Sequence, residues 1–420
     1  MRGSGFPVAS DDMGQCVLFH NAKVVDVIRH RTYRGWFVTS EGRLRLVEEG
    51  SSTPSECDTS VDLLGGVVAP ALVDAHTHIE SSFVTPRRYA EAVVPHGTTT
   101  ILADPHEIAN VLGVDGIRFM LDASSEIPLT VYISLPSCVP SASYDIETVG
   151  AVLTACDLKG FVEDPRVIAL GEVMNCKGVL TGDARIVDVL RMARKEGLFI
   201  EGHAPVLSGQ MLSKYLSHGI ETDHTLTTPD KILEQLSKGV WVELQEKSIT
   251  PENVDTLNWL PDLSRVLLVT DDIVGSRIMR GHLLSNVRKA ITLGLNPYEA
   301  LSSATWRPAM ALGLRDTGII APGFRADFIV FDDYDDWNVR AVYKGGTIVA
   351  RDGEALWNRD YPSADGKDWD DSGSAAWLPQ WVLNTVRRDA LKLDDFCVPL
   401  SDGTHTVYVI DATRFNTATE

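Results

Sequence analysis

The stretch VVAPALVDAHTHIESS, residues 67–82, decides how this sequence folds. An apolar run precedes His76 and His78, and such a run is typical of a strand that is buried on both faces. Residues two apart share a face of a strand, so the two imidazoles project together from its C-terminal end. Paired neutral imidazoles can bind one metal ion, although polar residues also commonly end strands. The stretch therefore predicts a buried strand that ends in a candidate metal-binding pair.

Length, composition and charge limit the class of protein. A chain of 420 residues with 44% hydrophobic content can bury a large core. It contains no apolar run long enough to span a bilayer, and residues 1–15 lack the apolar region of a secretory signal. The six cysteines are scattered without a C-x-x-C pair, which predicts a reducing, cytoplasmic environment. The net charge of −20 argues against nucleic-acid and anionic-membrane partners.

Strand and helix patterns alternate from about Val67 to Gly313. We count eight such units, and their combined length is close to the roughly 250 residues of a (β/α)₈ barrel. The sequence therefore predicts an α/β fold with a barrel over residues 67–314. Short strands in residues 16–66 predict a small separate sheet. Residues 1–15 are expected to be a flexible N-terminus, and residues 361–420 a polar, acidic linker followed by a partial C-terminal segment.

Side chains that can bind a metal fall at the ends of the predicted strands. The C-terminal ends of barrel strands converge on one face, where active sites are built. Each residue has a plain structural alternative, such as an ion pair, a buried histidine or a helix cap. As a set, four histidines and two carboxylates can hold two divalent cations with one carboxylate and one water shared between them. The set is His76, His78, Glu172, His203, His224 and Asp271.

Several stretches resemble the adenine deaminase family of the amidohydrolase superfamily, over roughly Leu18 to Gly353. They are HIESS (78–82), PHGTTTILADPHEIANVLG (95–113), PSCVP (136–140), LGEVMN (170–175), GHAPVLSG (202–209), TDHT (222–225) and VTDD (269–272). The resemblance implies a TIM-type barrel with a small β-sandwich domain built from residues 16–66 and 315–360. It also implies a binuclear Mn²⁺ or Fe²⁺ site on the six residues, with Zn²⁺ possible. Glu172 takes the place where many superfamily members carry a carboxylated lysine.

The activity that the resemblance implies is hydrolysis of a C–N bond in a cyclic amidine. Adenine would be converted to hypoxanthine and ammonia by a bridging hydroxide, in adenine catabolism. The expected partners are a small purine substrate and further copies of the chain in a homo-oligomer. Because the sequence shows no P-loop or other phosphate-binding glycine loop, we expect no nucleotide cofactor.

Catalytic roles are predicted for residues on the same barrel face. Asp271 is expected to take a proton from the attacking water and pass it to the departing ammonia, while Glu172 bridges the cations. Glu80, His106 and Glu107 are candidates to protonate or hydrogen-bond a ring nitrogen. Asp104 and Ser208 are candidate substrate contacts. The alternatives are local, since Asp104 can start a turn, Glu107 can lie in a first helical turn and Ser208 can cap a helix.

The sequence departs from the family pattern around the expected pocket. Thr225 stands where the family commonly has an acidic residue, and Gln245 precedes Glu246 where an arginine is usual. Residues 273–276 replace a basic, histidine-bearing loop. These departures keep a second hypothesis open, in which a two-metal hydrolase acts on another aminated heterocycle or a cyclic amide. A third hypothesis is a non-catalytic assembly role on a retained barrel.

Overall fold

The computed structural model describes residues 16–54, 57–141, 147, 149–333 and 337–357, with the strand residues 410–411 and 418–419. The chain divides into two compact units, Met1–Asp368 and Trp369–Glu420. In the second unit, Ile410–Asp411 and Ala418–Thr419 form an antiparallel pair. The predicted flexible N-terminus, and most of the predicted linker and C-terminal segment, lie outside the described residues.

The first strands of the chain build most of an outer sheet. They are β1 (Cys16–Asp26), β2 (Arg31–Ser40), β3 (Arg43–Glu49), β4 (Thr59–Asp62) and β5 (Val67–Pro70). β1 pairs antiparallel with β2 and parallel with β4 and β5.

The next strands form the barrel. They are β6 (Leu72–His78), β7 (Thr98–Ala103), β8 (Thr130–Leu135), β9 (Val167–Val173), β10 (Phe199–Gly202), β11 (Thr222–Asp223), β12 (Trp241–Leu244), β13 (Val266–Leu268) and β14 (Asp271–Asp272). Neighbours from β6 to β10, and from β11 to β13, pair in parallel. The amide of Glu221 donates to the carbonyl of Ile200 at 2.9 Å and joins the two runs, while β14 pairs with β6. The predicted (β/α)₈ barrel is confirmed.

Helices connect these strands and cover the barrel. They are α1 (Pro86–Val93), α2 (His106–Leu112), α3 (Val114–Ala123), α4 (Ala155–Lys159), α5 (Cys176–Thr181), α6 (Ala184–Glu196), α7 (Gly209–Leu216), α8 (Pro229–Ser237), α9 (Pro251–Trp259), α10 (Gly275–Ile278), α11 (His282–Thr292), α12 (Pro297–Ser302) and α13 (Trp306–Ala311). In the described part of the chain, no helix is both long and apolar enough to cross a membrane.

The chain then returns to the outer sheet through β15 (Phe328–Phe331), β16 (Val339–Lys344), β17 (Thr347–Arg351) and β18 (Glu354–Ala355). Antiparallel pairing of β15 with β5 makes one nine-stranded sheet from both ends of the barrel sequence. The fold is therefore a barrel with an attached sheet domain.

Two strands differ from the expectation in instructive ways. The predicted first barrel strand from Val67 is divided, because Pro70 ends β5 and only Leu72–His78 enters the barrel. A proline cannot donate a ladder hydrogen bond, which favours a break at this point. The predicted eighth strand is also interrupted, since the Asp74 carboxylate accepts hydrogen bonds from the amide and hydroxyl of Thr270 at 3.1 and 2.6 Å.

Aromatic packing holds the outer sheet together, and it leads to a stability prediction. The fully buried Phe328 ring stacks on Tyr343 with centroids 4.6 Å apart and meets Phe19 and Phe37 edge-on. We expect Phe328→Ala to lower the free energy of unfolding by about 3–5 kcal/mol, because it removes this contact and leaves a cavity. Trp259 is 89% exposed and serves as the control. Trp259→Ala should change the free energy of unfolding by less than about 0.5 kcal/mol. Equal losses for the two variants in urea unfolding would contradict this role.

Candidate metal centre

The six residues of the predicted metal set lie at the C-terminal ends of the barrel strands. His76 and His78 stand on one face of β6 because they are two residues apart. The other four come from different parts of the chain, and strand closure brings them to the same face: Glu172 on β9, His203 just after β10, His224 just after β11 and Asp271 on β14.

Glu172 is the centre of this group and is only 2% exposed. Its Oε2 lies 3.2 Å from Nε2 of His224 and also contacts Nδ1 of His203. Its Oε1 lies 3.5 Å from Nε2 of His78. The two oxygens of one carboxylate therefore face two different sets of imidazoles.

The remaining contacts gather around Asp271. Its Oδ1 lies 3.4 Å from Nε2 of His78 and 3.7 Å from Nε2 of His76. The His76 ring stacks on the His224 ring with centroids 3.9 Å apart, which links this side to the Glu172 side. Three overlapping trios each offer ligand atoms within 4.8 Å of one another: His76 with His224 and Asp271, His76 with His78 and Glu172, and Glu172 with His203 and His224.

The protonation and hydrogen bonding of the cluster suit a divalent cation. Nε2 of His76 and Nδ1 of His224 are buried and have no hydrogen-bond partner among the described residues. Burial and the imidazoles of His224 and His78 lower the pKa of His76 to about 3, which keeps that ring neutral. Burial acts to raise the pKa of Glu172, but the surrounding imidazoles, His224 first, hold it well below its usual range. Burial acts to lower the pKa of His224, but Glu172 and Asp271 raise it to about 10, so a cation bound there would take the place of the ring proton. Imidazole and ionised carboxylate are ligands for such cations, so these residues fit the predicted metal.

A second layer of contacts orients the two histidines of β6. Nδ1 of His76 lies 2.7 Å from Oε1 of the fully buried Glu201, and Nδ1 of His78 donates to the carbonyl of Asp104 at 2.9 Å. Such partners set the ring orientation and leave the other nitrogen free for a ligand. Glu201 is not in the set predicted from the sequence, although its position two residues before His203 is a signal that both side chains share one face at the end of β10.

This contact predicts an effect on metal affinity. We expect Glu201→Gln to weaken metal binding about 10- to 100-fold, because the carboxyl group that holds the His76 ring at 2.7 Å is replaced by an amide whose NH₂ group can face that ring instead. Asp327 is also buried but lies beside β15 in the outer sheet, where it pairs with Arg325, so Asp327→Asn is the control. Titration of the metal-free protein with Mn²⁺ measures both. Equal losses in the two variants would mean that only burial, not the contact to His76, matters.

Asp271 is held in an unusual conformation. Its φ of 56° lies in the left-handed region, which is costly for a residue with a β-carbon. Nε2 of Gln245 donates to its Oδ2 at 2.7 Å, and the hydroxyl of Thr77 donates to its carbonyl at 3.4 Å. Thr77 also bonds to Thr270 at 2.9 Å and to the phenol of Tyr89 at 3.1 Å. This buried network fixes the direction in which the Asp271 carboxylate points.

The other predicted residues divide by location. Glu80 begins a 3-10 helix just after β6, and its Oε2 is buried without a hydrogen-bond partner among the described residues. Burial, and then the nearby Glu107 carboxylate, raise the pKa of Glu80 to about 8. His106 reaches the centre, with Nδ1 3.4 Å from Oε1 of Glu172. Glu107 is partly exposed, and its Oε2 lies 3.8 Å from His78 and 3.7 Å from His106.

Asp104 and Ser208, the two predicted substrate contacts, occupy different environments. Asp104 is fully buried, and its Oδ2 accepts a hydrogen bond from the amide of Glu172 at 3.0 Å. A Cβ on the neighbouring Gly171 would lie 2.2 Å from that oxygen, so glycine is needed for this close approach. Ser208 is exposed before α7, and no side-chain bond in the described structure joins it to the cluster.

The positions that depart from the family pattern lie beside the centre. Thr225 bonds to the carboxylate of Asp223 and accepts a hydrogen bond from Nζ of Lys231 at 2.6 Å. Gln245 contacts Asp271 directly, as described above. Glu246, next to Gln245, pairs with Arg277 of α10, which follows residues 273–276. Two of the departures, Gln245 and the loop at 273–276, are therefore adjacent to one another and to Asp271.

The model of the amidohydrolase family matches residues 67–349. An adenine deaminase of Nitratidesulfovibrio vulgaris is 40% identical over 346 residues, covering 81% of this chain and 58% of the relative. An adenine deaminase of Halalkalibacterium halodurans is 38% identical with the same coverage, and one of Geobacillus kaustophilus is 36% identical over 94% of this chain and 66% of the relative. The chain thus spans less than two thirds of these relatives.

Solved structures agree at the level of fold. A structure of enamidase, described as a member of the amidohydrolase superfamily, matches 80% of this chain with a TM-score of 0.62 at 17% identity, and 96% of that structure is covered. A β-aspartyl dipeptidase of Fervidobacterium islandicum matches 82% of this chain with a TM-score of 0.61 at 20% identity, and 99% of it is covered. At these identities the likeness concerns the fold alone.

Proposed function

The chain belongs to the amidohydrolase family, and we propose that it catalyses the metal-dependent hydrolytic deamination of adenine to hypoxanthine and ammonia. The reaction is supported by the adenine deaminases with which the chain shares 36–40% identity over most of its length. The single structural observation that carries the proposal is the position of Glu172, whose two carboxylate oxygens face two sets of imidazoles.

We propose that the centre holds two divalent cations, with Mn²⁺ or Fe²⁺ favoured and Zn²⁺ as an alternative. His76, His78 and Asp271 would hold one, His203 and His224 the other, and Glu172 would contact both. Bound there, the cations would lower the pKa of a water so that a nucleophile is available near neutral pH. The ligand types do not distinguish among these metals, because imidazole and carboxylate suit all three.

Asp271 is the proposed proton carrier. Its Oδ1 faces His76 and His78, while the amide of Gln245 holds Oδ2 at 2.7 Å, so the carboxylate has one fixed orientation. It takes a proton from the water that attacks C6 of the ring and delivers it to the departing amine, which leaves as ammonia.

A second group must stabilise the ring nitrogen next to C6 while the ring loses aromaticity. Glu80 is the preferred residue, because it lies immediately after the β6 histidines and its Oε2 is buried without a partner among the described residues. His106 and Glu107 are the alternatives, since both approach His78 from the next strand. Asp104 is proposed to position Glu172 and His78, through its contacts with their backbone and ring.

Ammonia release from a panel of heterocycles tests the proposal. The protein loaded with Mn²⁺ should release ammonia from adenine, and a chelated sample should not. Ammonia release from other aminopurines or aminopyrimidines but not from adenine would favour the second hypothesis, a two-metal hydrolase with a different substrate. Ring-opening of cyclic amides without ammonia release from adenine would favour it too. That alternative is favoured by Gln245 and the 273–276 loop, which lie beside Asp271. Absence of turnover on every compound, with metal bound, would favour the assembly role.

We also propose a cytoplasmic, homo-oligomeric protein. Cys138, Cys156 and Cys176 carry free thiols, which suits a reducing compartment. The oligomer is an expectation from the resemblance to adenine deaminases, and analytical ultracentrifugation of the purified chain measures it directly.

A further inference from the structure

A cavity of about 230 Å³ lies beside the candidate metal centre, between the loops that follow strands seven and eight of the barrel. Gln245 lines this cavity and donates to Oδ2 of Asp271 at 2.7 Å. One side chain therefore separates the cavity from the proposed proton carrier. Thr270 and Asn286 lie on its buried side, and Asn286 is fixed by a 2.7 Å bond to the carbonyl of Val269.

The lining of this cavity is positively charged, although the whole chain carries a net charge of −20. Four of its side chains are cationic and two are acidic, which leaves a formal charge of +2. The cations are Lys247, Arg277, Arg280 and Lys289, and the acids are Glu246 and Asp272. The 11-residue helix α11 begins at His282 in the same lining, so the positive end of its dipole adds to this potential.

Two of the cationic side chains in the lining are held in place by an acidic neighbour. Glu246 accepts from Arg277 at 2.8 Å and from Lys289 at 2.6 Å, which holds both cations at the cavity wall. Arg280 is exposed, and no side-chain bond in the described part of the chain occupies its guanidinium. A guanidinium binds carboxylate or phosphate through two parallel hydrogen bonds. The wall therefore keeps donors available for an anion.

We propose that this cavity binds an anionic group, a carboxylate or a phosphate, carried by the aminated ring that the metal centre deaminates. Its volume is below the roughly 300–1,000 Å³ of pockets that enclose whole ligands, so it suits a substituent and not a second ring. The identity of the ring rests on the function proposed above, whereas the anion-binding property does not. A ring with an acidic arm is then a better ligand than adenine, which has none.

The departures from the family pattern agree with this specificity. Gln245 and Ile273 both line the cavity, as do Arg277 in α10 and Arg280 just after this helix. A neutral amide at 245 can face an anion without competing for the arginines. The altered positions thus lie where a substituent would extend from a ring placed at Asp271.

Calorimetry with three substituted adenines tests the proposal. Each carries one substituent at N9, across the ring system from C6. The substituents are carboxymethyl and phosphonomethyl, which are acidic, and carbamoylmethyl, which is neutral. On the full-length Mn²⁺-loaded chain, we expect one acidic ligand to bind about tenfold more tightly than the neutral one. The tighter of the two acids identifies carboxylate or phosphate as the natural group. Equal affinity for all three ligands would overturn the proposal.

Two arginine variants separate the cavity from general charge effects. Arg280→Gln should abolish most of the tenfold preference, since it removes the available guanidinium. Arg315 is also exposed, has no side-chain bond in the described structure, and adjoins Asp316, which pairs with Arg43 of the outer sheet. Arg315→Gln should therefore keep the preference, and an equal loss in both variants would contradict the assignment.

Ammonia release from the same compounds separates this inference from the proposed function. A charge preference that depends on Arg280, without ammonia from any compound, would leave the cavity as an anion site and refute the deaminase. Suppose instead that ammonia is released from adenine and from the acidic adenines with the same kcat/KM, and that binding shows no charge preference. This result would support the deaminase and refute the anion site.

Discussion

Glu172→Gln is expected to reduce metal-dependent ammonia release from adenine on the order of a thousandfold. The variant keeps the size of the side chain but removes the charge that two sets of imidazoles share. An amide offers one acceptor oxygen, whereas Glu172 presents Oε1 to His78 and Oε2 to His203 and His224. The number of Mn²⁺ ions bound per chain should fall together with activity, and both are measured on the same preparation.

Glu126→Gln is the matched control for this experiment, because Glu126 is exposed and remote in sequence from the six residues. It should match the original chain in metal content and activity. Thermal unfolding of Glu172→Gln shows whether the fold is retained. Full activity in a folded Glu172→Gln variant would contradict a shared role for this carboxylate.

Asp271→Asn is expected to lower kcat for adenine by about 10²- to 10⁴-fold, the range over which a positioned general acid–base group contributes. Asparagine preserves the shape of the side chain and tolerates the left-handed φ of 56° better than most residues, so the fold should survive. The amide cannot accept the proton of the water. It also weakens the ligand that faces His76 and His78.

Measurements on the Asp271→Asn variant can separate a loss of metal binding from a loss of proton transfer. At saturating Mn²⁺, recovery of the metal content without recovery of kcat would assign proton transfer to Asp271. Full recovery of kcat would show that Asp271 acts only as a ligand. Asp255→Asn, an exposed change on α9, should leave kcat and metal content unaltered.

Much of the candidate site could be predicted because its residues end strands. The alternation of side chains along a strand puts His76 and His78 on one face, and a parallel barrel brings its strand ends together. The positions of Glu172, His203, His224 and Asp271 then follow from counting strands. Local patterns were less reliable at interruptions, where a proline at 70 and the Asp74 carboxylate ended or divided strands.

Contacts between strands were harder to predict. Glu201 could be placed on the face shared with His203, yet nothing local pairs it with His76, 125 residues away. Gln245 departs from the family pattern, but its bond to Asp271 depends on the packing of strands seven and eight. The sequence predicts Asp104 as a substrate contact, but no local pattern indicates its bond to the amide of Glu172 or the space that Gly171 leaves for it.

The sequence by itself determined the barrel, the face on which it works and the residue types that can hold a metal, because periodicity along a strand is a local property. Only the tertiary structure decided which atoms meet. Closure through Glu221 and Ile200, and the pairing of β14 with β6, set the distances across the face. Those distances place both oxygens of Glu172 between imidazoles, and they put a cationic cavity beside Asp271. Such contacts join residues far apart in the chain, so no local pattern records them.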